Sequence, residues 1–108
     1  MTQFDFGNGL VPAHQHPNGG GWVADSAHVD DTAYVGLDAR VYDDARISGA
    51  AEVFDNARVF DNAWVYGDAR VSGNAIVFDN ARVFDNARVY GYARVSGNAQ
   101  VSGDTVMT

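Results

Sequence analysis

From Val23 onward the chain repeats every six residues, and the repeat runs to Val106 without an insertion. An aliphatic residue opens each unit at positions 23, 29, 35 and onward to 101. It is Val at every one of these except Ile47, and Met107 continues the series. Four residues after each aliphatic stands a small residue, Ala from Ala27 to Ala99 and then Thr105. A representative unit is Val53-Phe54-Asp55-Asn56-Ala57-Arg58, and fourteen such units fill residues 23–106. A six-residue unit is too short to bury a face alone. It gains a core only by stacking on copies of itself, so the period constrains the fold more than any other feature.

Within Ala57-Arg58-Val59-Phe60 the side chains point to opposite faces in turn. Ala and Val share one face, and Arg and Phe share the other. The uniformly apolar Ala/Val face is the inside. The Asp-Asn or Gly-Asn pair that follows is a turn signal, because these residues tolerate positive φ. Each hexad is therefore a short strand and a corner. Composition agrees: all seven cations are Arg, thirteen of the fourteen acids are Asp, and Lys is absent. Long unbranched charged side chains are what helix surfaces favour, so this chain is a poor helix former. The expected fold is all-β, a parallel β-helix in which every third hexad is in register.

The pattern of aliphatic, two variable positions, Asn or Asp, small, variable resembles the hexapeptide-repeat proteins. Val71-Ser72-Gly73-Asn74-Ala75 and Val65-Tyr66-Gly67-Asp68-Ala69-Arg70 carry the likeness. That family forms left-handed parallel β-helices and includes bacterial acyltransferases and γ-class carbonic anhydrases. The resemblance implies the left hand and an 18-residue triangular coil, whereas ordinary crossovers favour the right hand. Fourteen hexads at three per coil make about 4.7 coils. The expected organisation is an N-terminal cap and Pro/Gly-rich loop over residues 1–22, then the repeat over 23–108. The scaffold is shared by unrelated activities, so it does not by itself name a function.

With three hexads per coil the outward positions fall into columns. Face one carries Trp22, Arg40, Arg58, Ile76 and Arg94. Face two carries His28, Arg46, Trp64, Arg82 and Gln100. Face three carries Tyr34, Glu52, Arg70, Arg88 and Val106. Arg46 and Arg82 should bracket Trp64, and Trp22 should sit over Arg40, as cation–π neighbours. Tyr42, Phe60, Ile76 and Phe78 should form an apolar strip on face one, the composition of an interface core. A homo-oligomer follows, and the family resemblance implies a trimer of parallel prisms. A small anionic ligand such as a nucleotide would be held between subunits. Arg40 and Arg58, or Arg70 and Arg88, would take phosphate, and Trp64 or Tyr66 would stack on a base.

Both ends invite expectations. Phe4, Phe6, Leu10 and Val11 are apolar enough to cover the top of the prism. The repeat stops at Thr108 in mid-unit, which predicts end-to-end contact through the last coil and Met107, or polar shielding of that edge by Thr and the terminal carboxylate. His14, His16 and His28 are candidate ligands for Zn²⁺. The stacked corner carboxylates (Asp25, Asp43, Asp61, Asp79) would suit Ca²⁺, although Asp and Asn are also plain turn residues that form amide stacks. Neither metal is expected as a resident cofactor. The chain has no Cys, which excludes disulfides, thiolate sites and Cys nucleophiles. A net charge of −7 with no basic run argues against nucleic acid as a partner. No apolar stretch approaches the ~20 residues of a membrane span or forms a signal-peptide core, so a cytoplasmic location is expected. Four Thr are too few for an ice-binding array. The favoured reading is a non-enzymatic scaffold or binding module that presents Arg and aromatic columns to itself, a small anion or a protein partner. The alternative is an enzyme of the acyltransferase or carbonic anhydrase type using the N-terminal histidines.

Overall fold

A computed structural model describes residues 2–108, and every element in it is a strand. No helix among these residues is long and apolar enough to cross a membrane. The repeat winds into a three-sided β-solenoid of about five coils, with one sheet per side. The first side stacks β3 (Trp22–Ala24) on Arg40–Val41, Arg58–Val59, Ile76–Val77 and Arg94–Val95. The second stacks His28–Val29, Arg46–Ile47, Trp64–Val65, Arg82–Val83 and Gln100–Val101. The third stacks Tyr34–Val35, Glu52–Val53, Arg70–Val71, Arg88–Val89 and Val106–Met107. All rungs between coils are parallel, and each pairs residue i with i+18, as in Arg46↔Trp64↔Arg82. The three outward columns therefore have the membership that the uninterrupted period dictates.

The inside is Val and Ala, with Ile47 in one of the Val slots. From Ala33 to Val95 every inward residue of the two slots is at most 5% exposed. Each buried Val contributes roughly 1.5–3 kcal/mol relative to an exposed one. The small Ala beside each corner lets three sheets converge at close range.

The corners explain why the acids are Asp. The second residue after the aliphatic has positive φ in every hexad from Asp43 to Gly103. Asp occupies this place at 43, 55, 61, 79 and 85 (φ 56–59°), and Gly takes it elsewhere. Each Asp also does a second job. The carboxylates of Asp43, Asp55, Asp61, Asp79 and Asp85 accept the backbone N–H of the residue one coil on, at 3.0–3.3 Å. Asp30 does the same for Gly49 at 3.0 Å. Glu is one methylene too long for this short reach. The Asn62, Asn80 and Asn98 side chains make no amide stack among the described residues; the bonds along the corner are carboxylate to backbone.

The N-terminal segment departs from the expectation of a lid. β1 (Gln3–Asp5) and β2 (Leu10–Gln15) form an antiparallel hairpin, and β2 pairs antiparallel with β3. The hairpin thus extends the first sheet by two strands instead of lying across the core. The upper edge of β3 is a row of unpaired backbone groups, and a strand satisfies them as an apolar plug would not. Leu10 and Val11 are left exposed. Phe4 and Phe6 turn to the outer face. The loop over residues 16–21 closes the top of the third sheet instead. Gly21 N–H donates to Val35 O at 2.9 Å, and Val35 N–H donates to Asn18 O at 3.1 Å. Glycine is required there: a Cβ would lie 2.2 Å from Val35 O at Gly19 and 2.2 Å from Gly36 O at Gly21.

Candidate functional site

The second face holds an open groove of about 560 Å³ running along the solenoid axis. Strand alternation points Arg46, Trp64 and Arg82 outward on consecutive coils, and they form one wall. Asp44, Asn62 and Asn80 of the adjacent corner form the other. The Arg46 and Arg82 guanidinium carbons lie 6.0 and 5.5 Å from the Trp64 ring. The indole N–H donates to Ser48 Oγ at 3.0 Å, which fixes the ring between them. Tyr66 leans on Trp64 at 4.6 Å and stacks on Phe84 at 4.9 Å, so the wall is braced from the side. Among the described residues neither Arg46 nor Arg82 has an ion-pair partner. Two guanidiniums held by an aromatic ring, with their N–H forks free, form a positive strip on an otherwise acidic molecule.

The sequence-derived ligand set is spread over three sides. Trp64 and Tyr66 are on the second face. Arg40 and Arg58 are on the first, and Arg70 and Arg88 on the third. Arg40 is half-buried with its guanidinium 5.0 Å from the Phe4 ring. It lies under Phe4 and not under Trp22, because Phe4 stacks on Trp22 at 4.7 Å and takes that place. Arg58 lies close enough to the Tyr42 phenol to oppose the effect of its burial. Arg70 Nε lies 3.4 Å from Glu52 Oε2. Arg46 and Arg82, which column counting places beside Trp64, belong to the groove and were missing from that set.

Face one carries the expected aromatic strip, but the hairpin covers its top. Phe6 stacks on Tyr42 at 4.8 Å, Tyr42 on Phe60 at 4.9 Å and Phe60 on Phe78 at 5.3 Å. Tyr42 is 7% exposed and is therefore an internal member of this stack, not a surface residue of an interface. Burial raises the Tyr42 phenol above its usual value of 10.0, against a smaller opposing effect of Arg58. Phe60, Ile76 and Phe78 remain half-buried, and Met107 packs half-buried against the end of the core.

The three histidines do not converge. His14 Nδ1 lies 2.7 Å from Asp25 Oδ1, His28 Nε2 lies 3.1 Å from Asp30 Oδ1, and buried His16 places Nε2 2.8 Å from Ala33 O. A second groove of about 660 Å³ follows the acidic corner, but its Asp43, Asp61 and Asp79 carboxylates accept backbone N–H groups. Among the described residues no three or more His, Asp or Glu side chains are grouped so as to hold a metal ion.

The family model for the YdcK β-solenoid repeat matches residues 39–53, 51–67, 63–79, 69–83, 81–97 and 93–107. This chain belongs to that family. The YdcK-type match spans the coils that carry Arg46, Trp64 and Arg82, and it leaves out the hairpin and the three histidines. No curated protein and no solved structure matches the chain.

Proposed function

We propose that this chain is a non-enzymatic binding module, a rigid prism that captures a small anionic ligand on its second face and self-associates through other faces. The observation that carries the reading is the pair of unpaired guanidiniums, Arg46 and Arg82, on either side of Trp64. They lie two coils apart, about 10 Å along the axis at ordinary strand spacing. That separation suits a ligand with two anionic groups, such as a nucleotide with an extended phosphate chain, better than a single inorganic anion. Asn62 and Asn80 on the facing wall supply donors and acceptors for its neutral part. The enzyme alternative, acyltransferase-like or γ-carbonic-anhydrase-like, would require His14, His16 and His28 to share a site. Their three separate partners favour binding over catalysis.

The test is a titration with adenosine triphosphate, adenosine monophosphate and inorganic phosphate. Binding is read by Trp64 fluorescence in a Trp22→Phe background. The expected result is a saturable change that is strongest for the triphosphate and is lost in Arg46→Ala and Arg82→Ala. An unchanged spectrum and unchanged melting temperature at millimolar ligand would overturn the reading.

A further inference from the structure

The exposed large apolar side chains are not scattered. Tyr34, Leu37, Tyr90, Tyr92 and Val106 all lie on the third face or the corner that follows it, and among the described residues only Leu10 and Val11 of the hairpin lie elsewhere. Two of them break the repeat. Tyr92, 82% exposed, stands in the corner slot that holds Asn or Asp in most other hexads. Leu37, 65% exposed, stands where later hexads have Asp or Gly. A large exposed residue in a slot built for a turn residue gives the fold nothing, whereas an aromatic anchor serves an interface.

The face has an internal order. Its five strands run Tyr34, Glu52, Arg70, Arg88, Val106 down one column and Gly36, Phe54, Ser72, Tyr90, Thr108 down the next. Apolar groups sit at the top and bottom, with charge between. Near the top is a hollow of about 440 Å³ lined by Tyr34, Leu37 and Phe54 and by the acidic residues Asp38, Glu52 and Asp55, whose carboxylates can accept a tyrosine hydroxyl. Near the bottom, Tyr90 and Tyr92 project.

We propose that this face binds the same face of a second copy of the chain. The two prisms run antiparallel about a two-fold axis lying along the central strand Arg70–Val71. That operation keeps each column on itself and exchanges top with bottom. Glu52 then faces Arg88 of the second copy, Phe54 faces its Tyr90, and Tyr34 faces its Val106. The projecting tyrosines of each copy meet the hollow of the other. Every contact occurs twice, as a closed isologous interface demands. Arg70 meets its own symmetry mate at the axis, and its guanidinium is already turned to Glu52 of its own chain. A parallel pairing would instead keep top against top, so that Glu52 and Arg88 would stay at different heights and the hollow would face its own copy and remain unfilled. One side of a prism 25 × 19 Å across is at the small end of stable interfaces, so the dimer forms with a Kd on the order of micromolar or weaker. The pairing uses no groove residue of the second face, so the ligand-binding reading stands or falls separately.

Sedimentation velocity over a concentration series tests it. The expected result is a monomer–dimer equilibrium. Arg88→Glu should weaken it at least about tenfold, because both symmetric contacts become like-charged. Adding Glu52→Arg to that variant should restore it, since the charges are merely exchanged and Arg70 regains an acidic neighbour in the column. Circular dichroism melts of both variants should match the parent. Tyr92→Asp should also weaken the dimer. Orientation is read by cross-linking, which the absence of native Cys makes clean. Ser72→Cys, next to the axis, should be linked to its own mate by a short bis-maleimide able to span facing sheets about 10 Å apart, and Val106→Cys, two strands from the axis, should not. A monomer up to millimolar concentration, a dimer indifferent to Arg88→Glu, or self-linking of Val106→Cys would each overturn the proposal.

Discussion

Asp61 is where the corner chemistry can be measured. Its φ is 58°, its own N–H reaches Asp43 Oδ2 at 3.3 Å, and its carboxylate accepts the Asp79 N–H at 3.1 Å. Replacement by Ala removes the acceptor, at about 1 kcal/mol for a solvent-accessible bond. It also places an ordinary Cβ residue in left-handed backbone without the local polar bond that eases Asp or Asn there, at about 1 kcal/mol more. Asp61→Ala should thus lose about 2 kcal/mol. Asp61→Gly keeps the backbone relaxed and loses only the acceptor, about 1 kcal/mol. Asp61→Asn keeps both the acceptor oxygen and the tolerance of positive φ, and it removes one charge from the column Asp43, Asp61, Asp79, so it should equal or exceed the parent. At this chain length about 1 kcal/mol moves the midpoint by about 4 °C. Thermal melts followed by circular dichroism should give the order Asn, Asp, Gly, Ala, with Ala about 8 °C and Gly about 4 °C below Asp. A Gly variant less stable than Ala would refute the backbone argument. An Ala variant as stable as the parent would refute both parts.

Three other perturbations have definite outcomes. Gly21→Ala drives a Cβ to within 2.2 Å of Gly36 O and 2.5 Å of Val35 Cγ1, and should cost at least about 2 kcal/mol in denaturant titration and expose the top coil to proteolysis. Phe6→Ala empties the place over Tyr42 and should cost about 3 kcal/mol while leaving the coils folded; hydrogen exchange should rise in residues 3–15 first. Tyr42 has a phenol pKa raised by burial, so the folded state holds that proton more tightly than the unfolded chain. Its contribution to stability is complete below about pH 10 and is lost as pH rises through the higher folded value. In ultraviolet titration Tyr42 should ionise above its usual value of 10.0, and Tyr42→Phe should flatten the loss of stability above pH 10.

The coils were legible in the sequence because one rule sets them. With six residues per side and no insertion, membership of every outward column follows from counting, and Arg46, Trp64 and Arg82 meet where counting puts them. The turn character of Asp43 or Gly49 was legible as tolerance of positive φ. The bond from each Asp to the next coil was not, because it depends on a carboxylate one methylene from the backbone meeting an N–H eighteen residues away. The hairpin was illegible for a different reason. Residues 2–15 are outside the period, so hydrophobicity alone had to place Phe4, Phe6, Leu10 and Val11. Hydrophobicity does not distinguish covering a core from extending a sheet. The unpaired edge of β3 decided the matter, and with it the burial of Tyr42 and the capture of Arg40 by Phe4.

In a repeat this regular, information about function lies in the departures. Ala and Val inside and Asp or Gly at the corner are demanded by the coil, so their presence says nothing about a partner. Trp64 is the only Trp in the outward slot of the coils below β3, where Arg is commonest, and two unpaired Arg flank it. Leu37 and Tyr92 are apolar residues in corner slots that elsewhere hold turn residues, and both occur at the corner after face three. Each departure costs the fold something: a large side chain to order, or apolar surface left in water. The three faces therefore differ in what they expose. The first is closed by its own hairpin through Phe6 and Tyr42. The second offers charge held open. The third offers apolar groups at two heights that only a partner of matching order would bury.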